Sequence, residues 1–286
     1  MKGEHSIKLL CRVLQVSRSG YYRWRRQPCS RRKRQDADLA AQIAAAYRKG
    51  RGNYGAPRIV RELREQGTPV SQRRCARLMR ELGLRGKKRH CRKPRTTDSR
   101  HGQPVPANQL ATRPAPTGPD QIWVTDITYL KTAEGMLYLA VILDLWSRRV
   151  VGWACAMTLH ASLVLAALFR ALEHRRPTAG LLHHSDRGAQ YVDHDYVRAL
   201  ADHQIERSMS RRGNCYDNAF AESFFSSFKT ESGIEESVPA TRREAELASF
   251  DYIETFYNTT RRHSSLGYCS PVAFENSRST KDIKAA

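Results

Sequence analysis

Three apolar stretches follow one another between residues 122 and 157, and they constrain the fold more than any other feature of the sequence. They read IWVTDITYL, LYLAVILDLWS and RRVVGWACAM, with the length and the β-branched and aromatic content of strands. Further along, helical spacing at 161–176 and 193–204 alternates with the strand-like runs LLHHSD and IERSMS, and a last helix is expected at 240–258. Three strands followed by alternating helices and strands predict a mixed α/β sheet.

The stretch DNAFAESFFSSFKTE at residues 217–231 predicts an amphipathic helix that presents a carboxylate. Asp217 suits the N-cap position. At about 100° per residue, Asn218, Glu222 and Lys229 fall close to one face. An apolar stripe beside that face comprises Ala219, Phe220, Ser223, Phe224 and Phe228. We therefore expect this helix to anchor in a core while it presents Glu222.

The positive charge of the chain is confined to its N-terminal part. The net charge is +21, and residues 1–119 contain 30 Lys and Arg against 7 Asp and Glu, whereas residues 120–286 contain 19 against 21. Basic residues in the first part are interleaved with periodic apolar residues, which distinguishes a folded domain from a solvated tail. A basic region of this kind predicts binding to a polyanion, most simply nucleic acid.

The first 84 residues predict short helices in two segments. In residues 1–28, HSIKLLCRVLQ and GYYRWRR form either a helix-turn-helix-like unit or a simple helical hairpin, with Ser19 as a cap. CSRRKRQ at 29–35 is expected to be a basic linker. The segment 36–84 is predicted to be a helical DNA-binding domain with helices at about 36–49, 57–66 and 71–82.

The helices at 57–66 and 71–82 have the proportions of a helix-turn-helix. Ser71 is placed to cap the second of them, which carries Arg73, Arg74, Arg77 and Arg80. These arginines can reach phosphates and base edges, or they belong to an ordinary basic surface helix. Residues 85–119 begin with RGKKRHCRKPR and contain few apolar residues, so they are predicted to be a basic, Pro-rich linker that is mobile without nucleic acid.

The second half of the sequence contains three candidate carboxylates that lie far apart along the chain. Asp126 interrupts the first predicted strand, Asp186 ends the strand LLHHSD, and 35 residues separate Asp186 from Glu222. This order resembles the DDE catalytic triad of the retroviral-integrase superfamily, which has a ribonuclease-H-like fold. The motifs WVTDITYL, DLWSRRVVGW, HHSDRGAQY, SRRGNCYDNAFAESFFSSFKTE and YNTTRRHSSLGYCSP resemble OrfB-type transposases of bacterial insertion sequences. NYGAPRI resembles the N-terminal DNA-binding region of that family, and the resemblance extends from about residue 5 to 276.

The resemblance implies a ribonuclease-H-like catalytic core at 120–276, followed by a tail at 277–286. Asp126, Asp186 and Glu222 would bind two Mg²⁺ or Mn²⁺ ions, with Asp126 bridging both ions. Lys229 would neutralise a DNA phosphate, and Asn218 would either hydrogen-bond DNA or cap its helix.

The activity implied is that of a DNA transposase, which cleaves at the ends of an insertion sequence and transfers strands by attack of a 3′-hydroxyl. Its expected partners are the terminal inverted repeats and target DNA, further copies of the chain as a homo-oligomer on DNA, and an upstream-frame protein as a fusion or partner. One alternative is a non-catalytic DNA-binding repressor, which would not need three placed carboxylates. A ribonuclease-H-like nuclease is a second alternative, whereas a tyrosine or serine recombinase lacks a matching nucleophile cluster here.

Several residues are interpreted as structural. Asp144 lies inside the second apolar strand and is left outside the triad. Only one of His183 and His184 can share a face with Asp186, and His184 either supports that carboxylate or packs. The seven cysteines are scattered without a CxxC pair, which disfavours a zinc ribbon or disulfide framework. No apolar run approaches the roughly 18 residues of a membrane span, and the first residues lack a signal-peptide pattern, so a cytoplasmic, nucleoid-associated protein is expected.

Overall fold

A computed structural model describes residues 5–26, 30–87, 105–211 and 218–285, with side chains up to residue 278. The chain divides into two compact units, Met1–Gly86 and Lys87–Ala286. Within the described ranges, every helix is too short or too polar to span a bilayer.

The described part of the first unit is helical. Residues that pack α3, α4 and α5 together include Ile43, Ile59, Leu63 and Cys75, which are fully buried. The apolar residues recur at helical spacing in each helix, and this explains why three short helices share one core. The helices are α1 (Ile7–Val13), α2 (Arg18–Arg26), α3 (Arg31–Lys49), α4 (Ala56–Glu65) and α5 (Gln72–Glu81).

The N-terminal ends of these helices confirm the predicted cap of α5 and correct two other predictions, the cap of α2 and the linker at 29–35. Ser71 caps α5, because its hydroxyl accepts the N–H of Arg74. The cap of α2 is Ser17 rather than Ser19, since the Ser17 hydroxyl accepts the N–H of Gly20 at 3.0 Å. The stretch predicted as a basic linker is helical from Arg31 onward, because Ser30 caps α3 and Arg, Lys and Gln are good helix formers.

The second unit contains a five-stranded mixed sheet. Its order is β3-β2-β1-β4-β5; β1, β2 and β3 are antiparallel, while β4 runs parallel to both β1 and β5. The central strand β1 therefore has a hydrogen-bonded partner on each side, as the predicted mixed α/β sheet requires. The strands are β1 (Ile122–Thr132), β2 (Gly135–Asp144), β3 (Val150–Ala156), β4 (Leu182–Ser185) and β5 (Glu206–Met209).

Helices cover both faces of the sheet. Trp123 lies in a buried cluster with residues of α6 and α7, whereas α8 and α9 also pack on β1. Because successive strand residues point to opposite faces, Trp123 faces one helical layer and Val124 and Asp126 face the other. The helices are α6 (Ala161–Arg175), α7 (His194–Asp202), α8 (Ala219–Ser232), α9 (Arg242–Phe250) and α10 (Pro271–Ala285).

The catalytic-core helices differ from the predictions in detail. Helix α8 buries Ala221, Phe224, Phe225 and Phe228, while Ala219, Phe220 and Ser223 are exposed, so the predicted stripe is rotated toward Phe225. The helix expected at 240–258 is regular only to Phe250 and continues as a π-helical segment, Asp251–Tyr257. The wider π turn brings Tyr252, Ile253, Phe256 and Tyr257 into the core. Residues 277–285, expected to be a tail, continue the backbone of α10.

The described part of the predicted linker, residues 105–119, lies along the second unit. Val105 packs against the buried cluster, and the N–H groups of Gln109 and Leu110 donate to the hydroxyl of Ser208 at 3.0 and 3.4 Å. Arg113 pairs with Glu206. These contacts join residues far apart in the sequence, so local composition gave no indication of them.

Candidate active site

Asp126 and Asp186 lie next to each other across the parallel pair β1 and β4. The register pairs Ile122 with Leu182 and Val124 with His184. The same offset brings Asp126 opposite Asp186, immediately after the last residue of β4. The pairing itself ends at Val124 and His184, and Asp186 lies in the turn that follows β4, close enough for its charge to act on Asp126.

The charges of the other two predicted carboxylates act on Asp126. The pKa of Asp126 is raised well above its ordinary value, first by burial and then by the negative charges of Asp186 and Glu222. A hydrogen bond from the N–H of Ile127 at 2.8 Å acts in the opposite direction. Because Coulomb interactions weaken with distance and solvent screening, Asp186 and Glu222 must both lie near Asp126.

The turn after β4 holds the carboxylate of Asp186. Its Oδ1 accepts the N–H of Gly188 at 2.9 Å. A Cβ at position 188 would lie 2.9 Å from Oε1 of Gln190 and 3.1 Å from Oδ1 of Asp186. A larger residue at this position would therefore crowd the side chain of Gln190 and the carboxylate of Asp186.

Glu222 is exposed on the first turn of α8, and the opposite side of that helix is firmly anchored. Phe224 contacts Tyr257 edge-on, with ring centroids 4.8 Å apart, and Phe228 contacts Tyr252 at 5.3 Å. Both contacts have the geometry favoured by aromatic pairs. The π-helical segment thus supports the helix that carries Glu222.

A buried ion pair also fixes the C-terminal half of α8. The guanidinium of Arg261 donates to both carboxylate oxygens of Glu231, at 2.5 and 2.7 Å, and to the hydroxyl of Ser227. Tyr252 donates to the same carboxylate at 2.9 Å. The role of this cluster was missed in the sequence, although Arg261 lies in the motif YNTTRRHSSLGYCSP.

The three carboxylates are close without forming a complete metal-ligand set. Among the described residues, no group of three His, Cys, Asp or Glu side chains is arranged so that it could hold a metal ion. Two of the three are fixed by strand pairing, whereas Glu222 is an exposed side chain on a helix. A change of its side-chain rotamer alters the separation while the backbone stays in place.

Lys229 lies above β1, two turns along α8 from Glu222. Its ammonium nitrogen is 4.8 Å from the centroid of the Tyr129 ring, within cation–π range. Partial burial lowers the pKa of Lys229. The ring contact was not predicted, and it restricts a side chain that would otherwise be flexible.

Asn218 occupies the N-cap position of α8 and is buried, but its side chain makes no capping hydrogen bond. Its Oδ1 has no hydrogen-bond partner among the described residues. Asp217, the predicted cap, lies outside the described residues. Asn218 therefore has the position of a cap without the interaction that gives a cap its stabilising effect.

Arg148, in the turn between β2 and β3, contacts the start of α8. Its guanidinium carbon lies 4.0 Å from the centroid of the Phe220 ring, and burial lowers its pKa. In the same turn Asp144 is fully buried and accepts hydrogen bonds from the N–H groups of Asp120 and Ser147. Asp144 thus organises the turn, in agreement with its exclusion from the triad.

The arginines of α5 in the first unit have unequal roles. Arg74 and Arg77 each pair with a different carboxylate oxygen of Asp36 at 2.7 Å. The hydrogen bond from Arg77, followed by that from Arg74, lowers the pKa of Asp36. These pairs connect α5 to α3. Arg73 and Arg80 are exposed.

A mixed sheet of this order, covered by helices on both faces, has the architecture of a ribonuclease-H-like core, a fold shared by enzymes that cut and join polynucleotides. Residues 116–215 match the integrase core domain family, and residues 203–271 match a second integrase core domain family. Residues 33–92 match the HTH-like domain family.

The chain belongs to the insertion-sequence transposases and is a DDE-type DNA transposase, which confirms the resemblance to the OrfB type. It is 47% identical over 266 residues to the insertion element IS600 uncharacterized 31 kDa protein of Shigella sonnei, covering 93% of this chain and 97% of that protein. It is 43% identical over 277 residues to the transposase InsF for insertion sequence IS3A of Escherichia coli (strain K12), covering 96% of each.

Solved structures of viral integrases resemble the chain more distantly. The HTLV-2 integrase catalytic core domain in complex with magnesium has 16% identity and a TM-score of 0.42, over 55% of this chain and 97% of that one. The simian T-cell lymphotropic virus intasome in complex with a PP2A regulatory subunit has 16% identity and a TM-score of 0.48, over 76% of this chain and 70% of that one.

Proposed function

We propose that this transposase uses Asp126, Asp186 and Glu222 as its catalytic carboxylates, to cleave at the ends of an insertion sequence and to join strands by attack of a 3′-hydroxyl. The observation that supports the proposal is the position of the three residues: Asp126 is on the central strand β1, Asp186 directly follows the neighbouring strand β4, and Glu222 is on α8, which packs on β1. The negative charges of Asp186 and Glu222 also raise the pKa of Asp126. A bound cation would relieve the repulsion among these carboxylates, which otherwise favours protonation of Asp126.

The donor set suits Mg²⁺ or Mn²⁺. Both are hard cations that prefer carboxylate oxygens, and the described site offers oxygen donors from two strands and a helix. Asp126, Asp186 and Glu222 would together hold such ions. When bound, two such ions stabilise the attacking and leaving oxygens of an in-line displacement.

Lys229 and Asn218 are proposed to position the DNA. Lys229 presents a point charge that suits a phosphate, and its contact with Tyr129 keeps the ammonium group over β1, the strand that carries Asp126. Asn218 lies one turn before Glu222, and its buried Oδ1 has no partner among the described residues. An amide at this position can hydrogen-bond a nucleotide next to the scissile phosphate.

The first unit is proposed to bind the terminal inverted repeats of the element through α5. Arg73 and Arg80 are exposed, so they can reach phosphates directly. Arg74 and Arg77 can contribute as well, because a guanidinium has five N–H donors and the pairing with Asp36 uses only some of them. The core would then act on target DNA as part of a homo-oligomer, with an upstream-frame protein as a fusion or partner.

The experiment that tests the proposal measures nicking and joining of duplex DNA that carries the element ends, with Mg²⁺, with Mn²⁺ and with a chelator. We expect products only when a divalent ion is present. Specific binding without nicking under any of these conditions would favour the repressor alternative.

A further inference from the structure

A chain of hydrogen bonds runs through His184, which is fully buried in β4 two residues before Asp186. One ring nitrogen, Nδ1, lies 2.8 Å from the hydroxyl of Ser208, and the other, Nε2, lies 3.1 Å from the hydroxyl of Ser210. Ser208 and Ser210 are themselves buried. The imidazole therefore connects two hydroxyl groups that belong to β5 and to the residue following it.

The direction of these hydrogen bonds follows from the other partners of Ser208. Its hydroxyl oxygen accepts the N–H groups of Gln109 and Leu110, and a hydroxyl has two acceptor lone pairs and one donor. The Ser208 proton is then directed at Nδ1 of His184, which must accept it. The ring consequently carries its proton on Nε2 and donates to Ser210.

The series of hydrogen bonds continues from Ser210 to the peptide group that precedes Asp186. The Ser210 hydroxyl donates to the carbonyl of Ser185 at 3.3 Å, and the Ser210 N–H donates to the same carbonyl at 2.9 Å. Arg187, on the other side of Asp186, donates through Nε to the Ser210 carbonyl at 2.8 Å. Ser210 is thus bonded to the residues on both sides of Asp186.

We infer that His184 is a positioning residue, whose hydrogen-bond chain couples the docking of residues 105–113 along β5 to the placement of Asp186. Every donor in this chain has an acceptor, and buried networks of this type are rigid only when they are completely satisfied. Detachment of Gln109 and Leu110 frees Ser208 to turn its proton away from His184, which weakens the constraint on the Ser210 hydroxyl. The inference rests on the proposed catalytic role of Asp186.

Three substitutions of His184 interrupt different parts of the hydrogen-bond chain. His184→Phe keeps a ring and removes both nitrogen contacts. His184→Asn keeps an amide near the Nδ1 position only, and His184→Gln keeps one near the Nε2 position only. His183→Phe is the matched control, because His183 is equally buried on the opposite side of β4, where its Nε2 lies 3.2 Å from the hydroxyl of Tyr196.

The first measurement is the proton position on His184 in the full-length protein, obtained from long-range ¹⁵N–¹H correlation spectra of histidine-labelled samples. We expect a proton on Nε2 and none on Nδ1. The second is hydrogen exchange at Gln109 and Leu110, which should accelerate by about tenfold or more in His184→Phe and remain unchanged in His183→Phe. An Nδ1–H tautomer, or unchanged exchange in His184→Phe, would overturn the inference.

The third measurement is a double-mutant cycle on the joining rate. His184→Phe and Ser208→Ala should each slow joining, and the double variant should be no slower than the worse single variant, because both interrupt one chain. His183→Phe combined with Ser208→Ala should be additive, and additivity in the His184 cycle would also overturn the inference. Full joining by Asp186→Asn would refute the proposed function, while the tautomer and exchange results would keep their meaning.

Discussion

The guanidinium of Arg148 stacks on the ring of Phe220, 4.0 Å from its centroid. This contact joins the turn between β2 and β3 to the first turn of α8. Phe220 precedes Glu222 by two residues, so the stack helps to orient the segment from which Glu222 projects. Helix α8 is consequently held at both ends, by Arg148 near its beginning and by Arg261 near its end.

We expect Arg148→Ala to slow strand transfer by about two- to fivefold, because cation–π stacking contributes about 0.5–1 kcal/mol at a partly exposed site and its loss lets the first turn of α8 move Glu222 out of position. Arg148→Lys should recover little, since an ammonium does not stack as a planar guanidinium does. Joining rates on pre-cleaved ends would test this, in a double-mutant cycle with Phe220→Ala. Strictly additive effects would contradict a functional link between the two side chains.

Asp126→Asn, Asp186→Asn and Glu222→Gln should each lower strand transfer by at least about 10², because each removes a metal-binding oxygen from a site that depends on its metals. Folding and DNA binding should persist. Asp144→Asn is a useful contrast, since it should affect stability more than joining chemistry. Near-normal joining of pre-cleaved end DNA in Mg²⁺ by any of the three triad variants would refute the assignment.

Lys229→Ala should weaken DNA engagement and slow joining at saturating Mg²⁺, while leaving metal affinity almost unchanged. Lys229→Arg should keep part of the activity, because the positive charge and the contact with Tyr129 can both be retained. The measurement is the joining rate of each variant as a function of Mg²⁺ concentration. An alanine variant equal to the parent would mean that Lys229 is an ordinary surface lysine.

Binding of DNA by residues 1–119 should depend strongly on salt, because counterion release dominates association with a basic region. In the full chain, Arg73→Ala together with Arg80→Ala should reduce the slope of log affinity against log salt by about 2, one for each lost phosphate contact. A salt titration on duplex DNA measures both. Affinity that hardly changes between low and moderate salt would be inconsistent with this interface.

Glu231→Gln should reduce the free energy of unfolding by about 3 kcal/mol or more, because it leaves the buried guanidinium of Arg261 without its counter-charge. Urea denaturation would give the value. A change below about 0.5 kcal/mol, as is usual for exposed pairs, would show that the pair does not hold α8.

The sequence was sufficient to predict the structure where the local apolar pattern and the family motifs agreed. The apolar runs predicted β1, β2 and β3, and the order of Asp126, Asp186 and Glu222 predicted a catalytic trio that stays a prediction. Contacts between distant segments were not predictable, since periodicity does not reveal that Gln109 binds Ser208 or that Arg74 binds Asp36. The buried face of α8 was not predictable for the same reason, because packing against the π-helical segment determines which phenylalanines are buried.

The two aspartates and Glu222 depend on different kinds of structure for their positions. Asp126 lies on β1 and Asp186 follows its paired neighbour β4, so the backbone pairing of these two strands sets their positions, whereas Glu222 depends on side-chain packing beneath a single helix. A displacement of α8 would therefore dismantle the trio and leave the sheet intact. Because Phe224 and Phe228 pack on the π-helical segment and Glu231 is paired with Arg261, the same contacts that set the stability of α8 also set how tightly Glu222 is kept beside the aspartates.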